Sequence, residues 1–83
     1  MMRDEITVLM FARYAELFGA TAIQVPRFDA ATVGALIEHL RRLPGGQALP
    51  ERPLVAVNQQ QASSDRPLVA GDEVALLPPM AGG

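Results

Sequence analysis

The chain has no cysteine and no lysine among its 83 residues, and His39 is its single histidine. Without cysteine there can be no disulfide, thiolate metal site or thiol nucleophile. One histidine cannot build a zinc site with other histidines, which leaves only mixed carboxylate sites open. Without lysine there is no P-loop lysine and no lysine-based polybasic membrane anchor. The basic residues are all arginines, 7 against 9 acidic residues, for a net charge of −2. A weakly acidic chain with scattered arginines makes a poor electrostatic case for binding nucleic acid. No run approaches the 18 or so apolar residues of a transmembrane helix. Met1-Met2-Arg3-Asp4-Glu5 lacks the basic stretch, apolar run and cleavage site of a signal peptide, so a cytoplasmic protein is expected.

What remains suits one small soluble domain. Hydrophobic residues make up 49% and charged residues 19%, a globular rather than disordered mix. A chain this short forms a single domain, and apolar burial must hold it without covalent staples.

Hydrophobic periodicity supplies the elements. Ile6 to Phe11 alternates as a strand, with Ile6, Val8 and Met10 on one face and Thr7, Leu9 and Phe11 on the other. Its apolar character on both faces predicts a strand that is central or covered by other structure near its C-terminal half. Ala12 to Phe18 reads as one or two helical turns ending at Gly19. Ala22 to Pro26 reads as a short strand at an edge, since Pro26 has no N–H to donate. Val33, Leu36, Ile37 and Leu40 fall at i, i+3, i+4 and i+7, extended by Leu43, and predict a helix between Thr32 and Leu43. Thr32 is the expected N-cap, with Asp29 an alternative start. Arg41 and Arg42 suit the negative helix end, Pro44 stops the helix, and Gly45-Gly46 can reverse the chain.

Gln47 to Pro53 reads as a loop and Leu54 to Val57 as a third strand. Asn58 to Gln61 should turn into a brief fourth strand. Asp65-Arg66-Pro67-Leu68 and Ala70-Gly71-Asp72 are turns, and Glu73 to Leu77 is the last strand. The order β-β-α-β-β-β implies an α+β fold with a mixed sheet packed on one main helix. The β-grasp, or ubiquitin-like, fold fits best. A ferredoxin-like fold would want two substantial helices.

Catalytic inventory is thin. No G-x-G-x-x-G is present. His39 faces away from the helix stripe, Ser63-Ser64 has no paired histidine, and Asp65 and Asp72 belong to turns. Asp72 and Glu73 would point to opposite sides if Glu73 opens a strand, which defeats a two-carboxylate pair. Gln59-Gln60-Gln61 is polar without catalytic groups.

The tail is different. The last strand runs into Leu77-Pro78-Pro79-Met80-Ala81-Gly82-Gly83. Consecutive prolines cannot continue sheet pairing and favour an extended stalk. The terminal Ala-Gly-Gly has almost no side-chain bulk, and glycine loses most entropy on ordering. Such a tail suits passage of a terminal carboxylate through a narrow channel better than it suits stability.

Several stretches then carry a resemblance over the whole chain. They are Val8-Leu9-Met10-Phe11-Ala12 with Glu16-Leu17, Thr32-Val33 with Ala35-Leu36, Val57-Asn58, Pro67-Leu68, and Gly71 through Gly83. The chain resembles the small-subunit family of molybdopterin synthase, sulfur carriers of ubiquitin-like fold. The family commonly has an aromatic where this chain has Leu77, and often an apolar residue where it has Gln61. The resemblance implies a β-grasp domain over residues 1–77 and a flexible carrier tail over 78–83. It implies that the Gly83 carboxylate is adenylated and then thiocarboxylated, and passes sulfur to cyclic pyranopterin monophosphate. Gly82 and Ala81 would form the slim tail and Pro78 and Pro79 its stalk. Phe11, Leu77 and Met80 would meet the partner.

The implied partners are the large catalytic subunit, in a heterotetramer, an adenylyltransferase like the ubiquitin-activating enzymes, and a sulfur donor enzyme. ATP and Mg²⁺ would be used by the activating enzyme, with no cofactor or metal on this chain, and no activity is expected of it alone. A thiamine-thiazole type carrier, a ubiquitin-like protein modifier and a passive interaction module are the alternatives.

Overall fold

A computed structural model describes residues 4–78 of the chain. Five strands form one mixed sheet. They are β1 (Glu5–Met10), β2 (Ala22–Pro26), β3 (Leu54–Val57), β4 (Gln60–Gln61) and β5 (Glu73–Leu77), in the spatial order β2-β1-β5-β3-β4. Helix α1 (Ala12–Phe18) follows β1, and helix α2 (Val33–Arg41) links β2 to β3. β1 pairs parallel with β5 and antiparallel with β2, while β3 pairs antiparallel with both β5 and β4. This is the β-grasp arrangement, and the parallel pair at its centre consists of the first and last strands.

One face of the sheet is buried. Ile6, Val8 and Met10 of β1 point inward with Val74 and Leu76 of β5, Val55 and Val57 of β3, and Val25 of β2. Against them lie Val33, Leu36, Ile37 and Leu40 of α2, the predicted helical stripe. Burying those four side chains contributes on the order of 6–12 kcal/mol before entropy is subtracted. Helix α2 begins as expected: the Thr32 hydroxyl accepts the Ala35 N–H at 3.1 Å. The first two helical N–H groups are also taken, Val33 by the Arg66 carbonyl and Gly34 by the Ser64 carbonyl. The segment 64–68 therefore caps the helix, and Leu68 plugs the core beneath it.

Three expectations shift. The first strand ends at Met10, because Phe11 is the N-cap of α1 and Ala12 turns left-handed, at φ 49°. The strand is central, one of its two expected settings, and its second face is open. Helix α2 stops at Arg41 with Arg42 as C-cap, so Leu43 packs on the core from outside the helix. The loop after it holds a 3-10 turn at Gly46–Ala48 and buries Leu49.

The Gly45-Gly46 pair does more than reverse the chain. A Cβ on Gly45 would run into the Leu17 carbonyl of α1, and one on Gly46 into the Leu40 carbonyl of α2. The loop thus packs its backbone directly against both helices. The β3–β4 hairpin turns at Asn58 and Gln59, both at positive φ, the pattern of a type I′ turn.

Candidate functional site

The open face of the sheet is ordered in rows across the strands. Side chains alternate along each strand, so register alone assigns the rows. At the end where β5 leaves the sheet stands a row of large apolar groups. Leu77 pairs with Leu54, and Phe11 follows Met10, whose partner on β5 is Leu76. Phe11, Leu54 and Leu77 are exposed at 46%, 40% and 36%. Three large hydrophobic side chains exposed together on one face mark a candidate contact surface.

The next row is small and apolar. Leu9 faces Ala22 on one side and Ala75 on the other, Ala75 faces Ala56, and Ala56 faces Gln61. A polar row follows. Thr7 lies between Gln24 and Glu73, and its hydroxyl donates to Gln24 Oε1 at 3.0 Å. The apolar area is thus concentrated toward the end from which the tail departs.

β5 is held on both sides, by β1 and by β3, and Pro78 follows it directly. The tail therefore starts from a strand bonded along both its edges, next to the apolar row. Of the residues singled out from sequence, Phe11 and Leu77 meet on this surface and Pro78 marks its exit. Pro79, Met80, Ala81, Gly82 and Gly83 lie outside the described residues. Leu54 was missed, along with Leu9, Ala56 and Ala75 as its neighbours. Their common signal is period-two alternation, which a four-residue strand such as Leu54–Val57 is too short to show.

Elsewhere the chemistry is structural. Asp72 is 8% exposed, and its carboxylate accepts from Asn58 Nδ2 and from the Val69 N–H. Glu73, its neighbour, faces the open side, as expected of a strand start. The Ser63 hydroxyl donates to Asp65 and has no histidine beside it. A groove of about 390 Å³ lies between α2 and the β3–β4 side, lined by Val33, Ile37, Val55 and Ala62 with Arg52 and Ser64 at its rim. Its lining also includes Ser63 and Glu51, and among the described residues no hydrogen bond joins either serine to that carboxylate. Among the described residues no three His, Asp or Glu side chains could hold a metal ion, and no helix is long and apolar enough to cross a membrane.

Comparison with known proteins agrees with this geometry. The model of the ThiS family matches residues 8–83. The molybdopterin synthase sulfur carrier subunit of Escherichia coli K12 is 44% identical over 81 residues, covering 94% of this chain and 99% of that protein. The same subunit from Dictyostelium discoideum is 33% identical over 86 residues, covering 99% of this chain and 100% of the relative. Among solved structures, small archaeal modifier protein 1 of Haloferax volcanii superposes with a TM-score of 0.78 at 27% identity, over 93% of this chain and 99% of that one. A β-grasp sheet with a supported last strand, matched by relatives over nearly their whole length, places the protein: the chain belongs to the ThiS family of small sulfur carriers and closely matches the small subunits of molybdopterin synthase.

Proposed function

We propose that this chain is the sulfur carrier subunit of molybdopterin synthase and that Gly83 is its working residue. The observation that carries the reading is the 44% identity to such a subunit over 94% of the chain. The geometry supports it. The strand leading to the tail is bonded on both sides, and an apolar row stands beside its exit. The row suits docking, and the tail suits delivery.

The chemistry follows from the carboxylate. Charge and resonance make it a poor electrophile. Attack of the Gly83 carboxylate on the α-phosphorus of ATP, with Mg²⁺ on a separate adenylyltransferase, releases pyrophosphate and leaves an acyl-adenylate. Hydrosulfide supplied by a donor enzyme then attacks the acyl carbon and displaces AMP, leaving a C-terminal thiocarboxylate. Its sulfur is polarizable and nucleophilic, and it is delivered at a fixed address rather than as free sulfide. In the large catalytic subunit it attacks cyclic pyranopterin monophosphate. A dithiolene has two sulfurs, so each pterin consumes two charged carriers.

The residue roles belong to the same proposal. Gly83 carries the acyl group, Gly82 and Ala81 keep the tail slim, and Pro78 and Pro79 stiffen its base. Phe11, Leu77 and Met80 contact the catalytic subunit, in a cytoplasmic heterotetramer. The chain is a carrier subunit and does no chemistry alone.

The test is intact mass of the chain isolated from cells that make its partners. Replacing the terminal oxygen by sulfur adds about 16 Da, nearly the mass of a methionine oxidation, so fragmentation must place the change at Gly83. Sulfur at Gly83 is the expected result. An unmodified terminus after incubation with an adenylyltransferase, ATP and a sulfur donor would overturn it.

A second reading has its own observation. The backbone superposes on a small archaeal modifier protein with a TM-score of 0.78. A modifier would pass Gly83 to a lysine of another protein, and higher-mass conjugates in an extract would reveal that. With no lysine of its own, the chain cannot form lysine-linked chains of itself.

A further inference from the structure

Beside the apolar row the open face has a depression. Ala75 of β5 and Ala56 of β3 are directly paired across the sheet. Around these two methyl groups stand larger side chains. Leu54 and Leu77, also paired, close the tail side. Leu9 flanks Ala75 from β1, and Gln61 flanks Ala56 from β4. Glu73 stands on the fourth side, two residues before Ala75 on the same strand. The arrangement is a socket with an apolar floor and one carboxylate at its lip.

Among the described strand positions of this face the charged residues are Glu5 and Glu73. Glu73 is exposed, and its carboxylate makes no hydrogen bond or ion pair among the described residues. Its backbone N–H, by contrast, is tied to Asn58 Oδ1 at 3.0 Å. The side chain therefore projects from a fixed base.

We propose that this socket receives a single long basic side chain of the catalytic partner. Its aliphatic stem lies on Ala56 and Ala75, and its cationic head meets Glu73. The proposal rests on the docking reading above and adds to it a specific pocket and a specific charge. The dimensions agree. Residues of one strand on one face are spaced by about 6.5–7 Å, close to the reach of an arginine or lysine side chain. Such side chains bury their stems on apolar ground while the head finds a charge, and arginine is enriched at the centres of protein interfaces. A carboxylate at the border of an apolar patch also sets the register of docking and speeds encounter with a basic surface.

The experiment measures binding of the full chain to the purified large subunit of molybdopterin synthase at several salt concentrations. Four variants are compared: Ala75→Leu, which fills the socket, Glu73→Gln and Glu73→Arg, which remove or reverse the charge, and Leu77→Asp, which tests the apolar row alone. Expected are at least a tenfold weaker complex for Ala75→Leu, and for Glu73→Gln an association rate that falls less steeply with added salt. Glu73→Arg should bind more weakly than Glu73→Gln. All should unfold at temperatures near that of the original chain. If Leu77→Asp abolishes binding while Ala75→Leu and Glu73→Gln bind like the original, the socket is refuted and the docking face stands. If Ala75→Leu weakens binding but both Glu73 variants keep the original salt dependence, the basic head is refuted. If Leu77→Asp binds normally as well, the docking reading falls and the socket with it.

Discussion

Asn58 Nδ2 donates to Asp72 Oδ1 at 3.0 Å, joining the β3–β4 hairpin to the start of β5. The contact is one of several at the same place. Asn58 Oδ1 accepts the Glu73 N–H, the Asn58 N–H donates to the Glu73 carbonyl, and the Asp72 carbonyl accepts the Thr7 N–H of β1. The start of the carrier strand is thereby fixed between its two neighbours. Two stretches that carry the family resemblance, Val57-Asn58 and Gly71-Asp72-Glu73, prove to be halves of one clamp. They lie at the opposite end of β5 from the tail, so their role is architecture rather than chemistry.

Asp72→Ala should therefore unfold the domain more easily without touching the docking face. It strands the Asn58 amide and the Val69 N–H without their acceptor. A loss of about 2–4 kcal/mol is expected in chemical denaturation. Asn58→Gly keeps the left-handed turn and removes only the side chain, and should cost less than Asn58→Val, which also opposes the positive φ.

The glycines should separate cleanly. Gly71 has a φ of 89° with open space around it, so Gly71→Ala carries only the conformational penalty, about 1–2 kcal/mol. Gly45→Ala adds a collision with the α1 backbone and should cost several kcal/mol. Denaturation midpoints of the two variants compare them directly.

Thr32→Ala removes the hydroxyl that caps α2 and should cost about 1 kcal/mol. Thr32→Ser keeps the oxygen and should recover most of it. Thermal melts of the three proteins suffice.

Gly82→Leu should fold like the original chain and fail as a carrier. On the proposed carrier reading, the added side chain would obstruct entry of the tail into the catalytic subunit. Single-turnover sulfur transfer in the reconstituted synthase reads this, and a normal rate for the variant would remove the channel argument.

Leu77→Asp should weaken the complex with the catalytic subunit by more than tenfold at little cost in stability, because Leu77 is solvent-exposed before docking. Leu76→Asp, one residue away, should prevent folding, since Leu76 is fully buried. Circular dichroism and a binding assay distinguish the two outcomes, and the contrast tests the register of β5.

Much of this architecture was legible in the chain itself. The helix over Val33–Arg41 announced itself by its stripe, its threonine cap and the Pro44-Gly45-Gly46 stop, because a long amphipathic helix repeats its pattern several times. The strand Ala22–Pro26 and the last strand Glu73–Leu77 matched their expected bounds. Local chemistry determined these features, and local chemistry is what a sequence displays.

The rest was decided by tertiary pairing. That Phe11 is exposed, rather than buried as the end of an apolar strand, follows from the left-handed turn at Ala12 and from a sheet with only one covered face. Leu54 joins Phe11 and Leu77 only through the register of β3 on β5. Ala56 meets Ala75, and Asn58 meets Asp72, across separations that no local pattern spans. Each of those contacts depends on where one strand stops against another. A shift of a single residue would turn every side chain to the opposite face. The sequence alone determined which segments form helices and strands. The tertiary structure decided which side chains share the surface from which the tail departs.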